Sequence, residues 1–90
     1  MKVTFHAEKN AINQSKHSIS LVRAADFDFD AALYAVDDSH NYGEVRINAL
    51  GFINAALHVL VFSPRGEDSI RAISLRRATK QEHRLYAENE

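Results

Sequence analysis

The stretch "AALHVLVF", residues 55–62, limits what this chain can fold into more than any other feature. It is apolar on both alternating faces apart from His58, so it reads as the central strand of a sheet. It is also the longest apolar run, and eight residues with a histidine among them fall far short of a bilayer span. The strand closes at the turn "SPRGED", with Pro64 and Gly66, and "SIRAISL" at 69–75 follows as a further strand. Upstream, "EVRINALGF" at 44–52 places Val45, Ile47 and Ala49 on one face and Glu44, Arg46 and Asn48 on the other, a strand with one dry face. "AALYAV" runs into the turn cluster Asp37-Asp38-Ser39, and "KVTF" fits a short first strand.

Helical spacing is confined to two regions. Residues 6–27 carry apolar positions at mixed three and four spacings, which predicts two short helices with a break near Lys16 to Ser20 and with Ser18 and Ser20 as candidate N-caps. Thr79-Lys80-Gln81-Glu82 fits a capping box and starts a mostly polar last helix through Tyr86. The order β, α, α, β, β, β, β, α predicts an α+β domain over 1–90, an antiparallel meander of about four strands with helices on one face.

Composition removes several chemistries. Without cysteine there is no disulfide framework and no thiolate metal site, and a reducing compartment is the natural home. No N-terminal stretch looks like a signal peptide, so a soluble, cytoplasmic protein without membrane contact is expected. The five histidines include no pair at i, i+4, and no metal site or other cofactor is expected. Gly43, Gly51 and Gly66 are isolated, so no phosphate-cradling glycine loop exists.

Charge is segregated behind a net of -1. From Asp26 to Glu44 there are six acidic residues and no Lys or Arg, whereas Ser69 to Arg84 holds Arg71, Arg76, Arg77, Lys80 and Arg84 against Glu82 alone. Such blocks suggest an electropositive face and a separate acidic surface, unless the fold interleaves them. Lys16, His17, Glu44, Arg46, Ser74, Arg76 and Tyr86, if gathered on the polar face of the sheet, would equip the chain to cut RNA without a metal. That chemistry needs a group to take the 2′-hydroxyl proton, cations for the phosphate and an acid for the leaving oxygen. Each residue also has a plainer reading. Lys16 and His17 can close a helix, Glu44 and Arg46 can form an ion pair, and Tyr86 can anchor the last helix.

Three ordered segments resemble the BrnT toxin family. "EKNAINQSKHSISLVRAA" is similar to K-N-x-x-N-x-x-K-H-x-[IV]-S-[FL]-x-x-A, with Lys9, Asn10, Asn13, Lys16, His17, Ile19 and Ser20 in place. "GEVRINALG" is similar to E-x-R-x-x-A-L-G, and "IRAISLRRATKQEHRLY" to I-R-x-I-S-x-R-x-A-T-x-x-E-x-x-x-Y. Phe5 and His6 stand where the family usually has Trp and Asp, and Leu21 stands where Phe is usual. The resemblance implies a RelE-like fold and a ribonuclease toxin that blocks translation. It implies as partner a BrnA-like ribbon-helix-helix antitoxin, two toxins with two antitoxins, the complex binding operator DNA. Its implied catalytic set is Lys16, His17, Glu44, Arg46, Ser74, Arg76 and Tyr86, with Lys80, Arg84 and Arg71 on the RNA backbone. A nucleic-acid binder that cuts nothing, and a degenerate toxin that only captures its antitoxin, are the competing classes.

Overall fold

The computed structural model describes residues 1–90, and its sheet is built around the strand that is apolar on both faces. That strand, β4 (Ala56–Pro64), is flanked by antiparallel β3 (Ile47–Ile53) and β5 (Ser69–Arg77). β2 (Leu33–Val36) pairs antiparallel with β3 at one margin, and β1 (Lys2–Thr4) runs parallel to β5 at the other. The order is β1-β5-β4-β3-β2. The expected four-strand meander is present as β2 to β5, and "KVTF" adds a fifth strand. It joins in parallel because the helical segment that follows it crosses the sheet before β2 begins.

The register sorts side chains onto two faces. On one, Ala49, Leu60 and Leu75 stand side by side, and Phe62 opposes Ala72. Helix α1 (Ala7–His17) and a 3-10 helix (Leu21–Asp26) cover this face, where Leu21, Ala24, Phe27 and Ile53 complete the main core. On the other face Leu50, Leu57 and Val59 form a smaller cluster with Leu33, Phe52, Ala78 and Tyr86 beneath helix α2 (Lys80–Glu88). Helices therefore lie on both faces, not on one. The cause is in β4 itself, whose Leu57 and Val59 alternate with Leu60 and Phe62 and must also be shielded.

The second expected helix is only the six-residue 3-10 helix. Ser18 ends α1 in the left-handed region (φ 59), and Ser20 is the N-cap that accepts from the Val22 N–H. His6 occupies the N-cap of α1 without a side-chain cap bond, as expected once the family's carboxylate is replaced. β3 begins only at Ile47, so Glu44 and Arg46 precede the ladder and Val45 is exposed. Gly51 is required by packing, because a Cβ there would lie 2.7 Å from the Phe27 ring.

Two asparagines fasten α1. β1 pairs with β5 only from Ser69 to Arg71, which leaves the outer edge of β5 open beyond it. The carboxamide of Asn13, 2 % exposed, fills that edge like a residue of a neighbouring strand. Its Oδ1 accepts from the Leu75 N–H, and its Nδ2 donates to the Leu75 carbonyl, each at 2.9 Å. The same Nδ2 also donates to the Ile19 carbonyl at 2.9 Å. One turn earlier, Asn10 Oδ1 accepts from the Leu21 N–H at 2.7 Å and tethers the 3-10 helix. Replacing Asn13 by Ala strips buried Leu75 of both partners, and equilibrium urea denaturation should show a loss of about 3 kcal/mol. A loss under about 0.5 kcal/mol would mean that the clamp is dispensable.

Candidate nucleic-acid interface

The face that carries α2 is only partly covered, and a groove of about 490 Å³ runs across it. Leu33, Leu50, Val59 and Arg76 form one cross-strand rung of its floor, and Ala35, Asn48 and Val61 line it from the next, which Ser74 ends outside the groove. Glu82 and Leu85 of α2, with Asn89 at its C-terminal cap, make the wall. Arg76 and Ser74 are two residues apart on β5, so both point to this face. The strand-end positioning of Arg76 follows from the alternation of "SIRAISLRR", shifted by an irregularity opposite Val61 and Phe62 that re-phases β5 near Ile73.

Arg76 is held but not saturated. Its two terminal nitrogens donate to the two Glu82 oxygens at 2.8 Å each, and Nη1 also donates to the Arg77 carbonyl. The Nε–H and the second Nη2 hydrogen have no protein partner, so one edge of the planar fork stays open. Glu82 is fixed in turn by the capping box, its carboxylate accepting from the Thr79 N–H while its own N–H donates to Thr79 Oγ1. The Arg76 guanidinium, with the Thr79 contacts, pulls the Glu82 pKa from the ordinary 4.5 to about 2, and Glu82 pushes the Arg76 pKa up. The sequence identified Glu82 as a cap but gave no hint of its second partner, which is six residues away across a strand-to-helix turn.

Glu44, Arg46 and Arg71 do come together, but at the other end of this face. Glu44 accepts from Arg46 Nε at 3.2 Å, Arg65 Nη2 at 3.1 Å and Arg71 Nη2 at 2.5 Å. Arg46 also stacks over the Tyr42 ring, 3.9 Å from its centroid. Arg71 in first place, then Arg46, holds the Glu44 carboxyl below its ordinary range, so it stays ionised. Five residues of strand separate Arg71 from Arg76, about 15 Å. The buried Nε of Arg71 has no partner, and the guanidinium is mostly enclosed with Glu44.

The remaining expected residues disperse. Lys16 and His17 sit in the last turn of α1, on the opposite side of the sheet from Arg76. Tyr86 spends its hydroxyl on the Ala31 carbonyl at 2.9 Å and packs edge-on against Phe52, so it anchors α2. Lys80 and Arg84 project from the exposed side of α2 without a salt bridge. The seven residues expected to form one centre thus fall into a β5 pair (Ser74, Arg76), a charged knot (Glu44, Arg46), an anchor (Tyr86) and a distant pair (Lys16, His17). The acidic block brackets edge strand β2, with Asp28 and Asp30 before it and Asp37 and Asp38 after it. No group of three or more His, Asp or Glu side chains is placed to hold a metal ion, and no helix is long and apolar enough to cross a membrane.

The Arg76–Glu82 pair also has a stability signature. Because the folded pKa of Glu82 lies below its unfolded value, its contribution is complete above about pH 4.5 and is lost as pH falls toward about 2. Solvent reaches both groups, so the contribution is about 1 kcal/mol. Urea midpoints measured across this range should fall more steeply for the native chain than for Glu82→Gln. Parallel curves would remove the pair as a source of acid sensitivity.

Comparison with known proteins bears on what this groove serves. The sequence model of the family described as "Ribonuclease toxin, BrnT, of type II toxin-antitoxin system" matches residues 5–82. Among solved structures, the Brucella abortus ribonuclease toxin BrnT superposes with a TM-score of 0.63 at 26% identity, covering 89% of this chain and 99% of that one. No functionally curated protein matches. The family match spans both asparagine clamps, the charged knot and the Arg76–Glu82 pair, and the shared fold extends over nearly all of the sheet. The chain therefore belongs to the BrnT family of ribonuclease toxins of type II toxin-antitoxin systems.

Proposed function

We propose that this chain cleaves RNA without a metal ion, as a single toxin domain over residues 1–90, and that Arg76 holds the phosphodiester under attack. The observation that carries the reading is the open Nε/Nη2 edge of Arg76 at the groove. Two parallel N–H donors match two non-bridging phosphate oxygens, a geometry in which guanidinium binding is strongest. In metal-free cleavage the 2′-hydroxyl attacks the adjacent phosphorus, the 5′ oxygen leaves, and the phosphoryl oxygens gain charge between the two events. A guanidinium already oriented by Glu82 stabilises that charge without reorganising. Ser74 is one rung away on the same face, and Asn48 in the groove offers an amide to a base or ribose.

The charged knot has a different part. A carboxylate bonded to three arginines is a weak base, so Glu44 serves to hold Arg46 and Arg71 rather than to move a proton. Together with Lys80 and Arg84 on α2, these cations flank the groove and favour an RNA strand laid across it.

A type II toxin implies an antitoxin. For this chain we place a BrnA-like ribbon-helix-helix protein in that role, two copies with two toxins, acting with it on operator DNA in the cytoplasm. The acidic residues around β2 give a basic antitoxin segment its complement.

Expression of the chain alone should arrest growth, and the antitoxin encoded beside it should restore growth. Normal growth at verified expression sinks the toxin reading. Cleavage of single-stranded RNA by purified protein should persist in chelator, whereas loss in chelator and recovery with a divalent ion would overturn the metal-free route. Arg76→Ala should slow single-turnover cleavage by about 100-fold or more. If it weakens RNA binding and no cleavage is found in the native chain, the non-catalytic binder takes its place.

A further inference from the structure

Behind the groove, on the opposite side of the sheet, a second cleft of about 630 Å³ opens between the end of α1, the 3-10 helix and the β3–β4 turn. His17, Ser18, Arg23, Asn54, His58 and Arg77 supply its polar groups, and none of its ten lining residues is acidic. Two arginines and two histidines converge there without a carboxylate. Of the seven arginines in the chain, four are paired with Glu44 or Glu82, while Arg23 and Arg77 have no salt-bridge partner. Like charges gathered in a concavity repel unless an anion joins them, so the arrangement is the inverse of a satisfied ion-pair network.

His58 adds direction. It is 4 % exposed, and its Nδ1 lies 2.8 Å from the Ala56 carbonyl. A carbonyl only accepts, so Nδ1 carries the hydrogen and Nε2 is the unpartnered nitrogen. Burial chiefly, and then Arg77 and Arg23, lower the His58 pKa, opposed by the Ala56 bond. The groups that face this ring from the packed elements are therefore His17 of α1, Arg23 of the 3-10 helix and Arg77 of β5, all cationic or neutral. An anion among them would reverse the effect of the arginines.

We propose that this cleft is a second phosphate-binding site, which holds a backbone phosphate of RNA through Arg23, Arg77 and His17. Its place in the fold favours that occupant. Arg76 and Arg77 are successive residues at the end of β5, and strand alternation sends Arg76 to the groove and Arg77 to the cleft. A single strand of RNA that passes around this end of the sheet touches both, with one phosphate at the reacting position and another, a few nucleotides along, in the cleft. A compact tetrahedral anion can be shared by the two guanidinium forks that line the cleft, whereas an acidic peptide suits a longer stripe. The inference rests on the reading of the chain as an RNA-cleaving toxin only for the source of the phosphate.

The test measures binding and leaves cleavage out of it. A single-stranded 2′-O-methyl oligoribonucleotide cannot be cut by attack of its own 2′-hydroxyl, so its affinity for the full chain is measurable against salt whether or not the chain is a nuclease. Arg23 and Arg77 are exposed, so the double variant Arg23→Ala, Arg77→Ala should melt as the native chain does. Its oligonucleotide affinity should fall about tenfold or more, and the slope of log K against log salt should flatten by about 0.7, for the one phosphate lost from the cleft. In parallel, inorganic phosphate added to the native chain should raise the His58 titration midpoint followed by NMR, and should leave it unmoved in the double variant. An unchanged salt slope overturns the proposal, including the case in which phosphate alone still moves His58 and the cleft takes only free phosphate. So does a double variant that keeps its oligonucleotide affinity and loses its antitoxin. A changed slope in a chain that cuts no RNA upholds the cleft and removes the nuclease reading instead.

Discussion

The structure depends on one side chain acting as a piece of strand. β1 reaches only the first third of β5, and the backbone of Leu75 beyond it would face solvent or a mispaired neighbour. The Asn13 carboxamide occupies that edge with one acceptor and one donor, the same pair that a strand residue would supply. Because it comes from α1, the bond fixes the helix to the sheet two residues before β5 ends. The end of β5 is where Arg76 and Arg77 part to opposite faces, so this amide holds the strand just ahead of both groove and cleft.

The distribution of charge then divides the molecule into sites of different character. Glu44 neutralises one cluster of arginines and builds a rigid knot, while Glu82 engages a single arginine and leaves half of its fork open. The cleft behind them has cations and no carboxylate at all. The net charge of -1 conceals this arrangement, since Asp28, Asp30, Asp37 and Asp38 bracket β2, at the far margin of the sheet from β5 and β1.

Much of the fold is legible in the sequence because alternation reports burial directly. The run "AALHVLVF" marks β4, and its apolar residues on both faces already call for cover on both, a consequence that counting consecutive strands alone overlooks. The capping box at Thr79 and the cap at Ser20 sit where side-chain chemistry requires them. What periodicity hides is contact between distant segments. N-x-x-N at Asn10 and Asn13 stood out only as part of a family pattern, and nothing local says that the amides bond to Leu21 and Leu75. The residues expected to form one centre are legible one by one, but their separation in the fold is not. Spacing along the chain cannot tell which side of a sheet His17 and Arg76 will occupy, and the hydroxyl of Tyr86 meets a carbonyl 55 residues away. Arg23 and His58 carry no local signal of a site for the same reason, as each gains its meaning from the other elements lining the cleft.

The central claim is that RNA is cut by its own 2′-hydroxyl while Arg76 holds the phosphate in the groove. The chemistry of the product ends tests this most directly. Incubation of purified protein with an end-labelled RNA, followed by analysis of both new termini, should give a 2′,3′-cyclic phosphate or its hydrolysis product on one fragment and a 5′-hydroxyl on the other. A 5′-phosphate with a free 3′-hydroxyl would show that water, not the ribose, is the nucleophile, and would contradict the account.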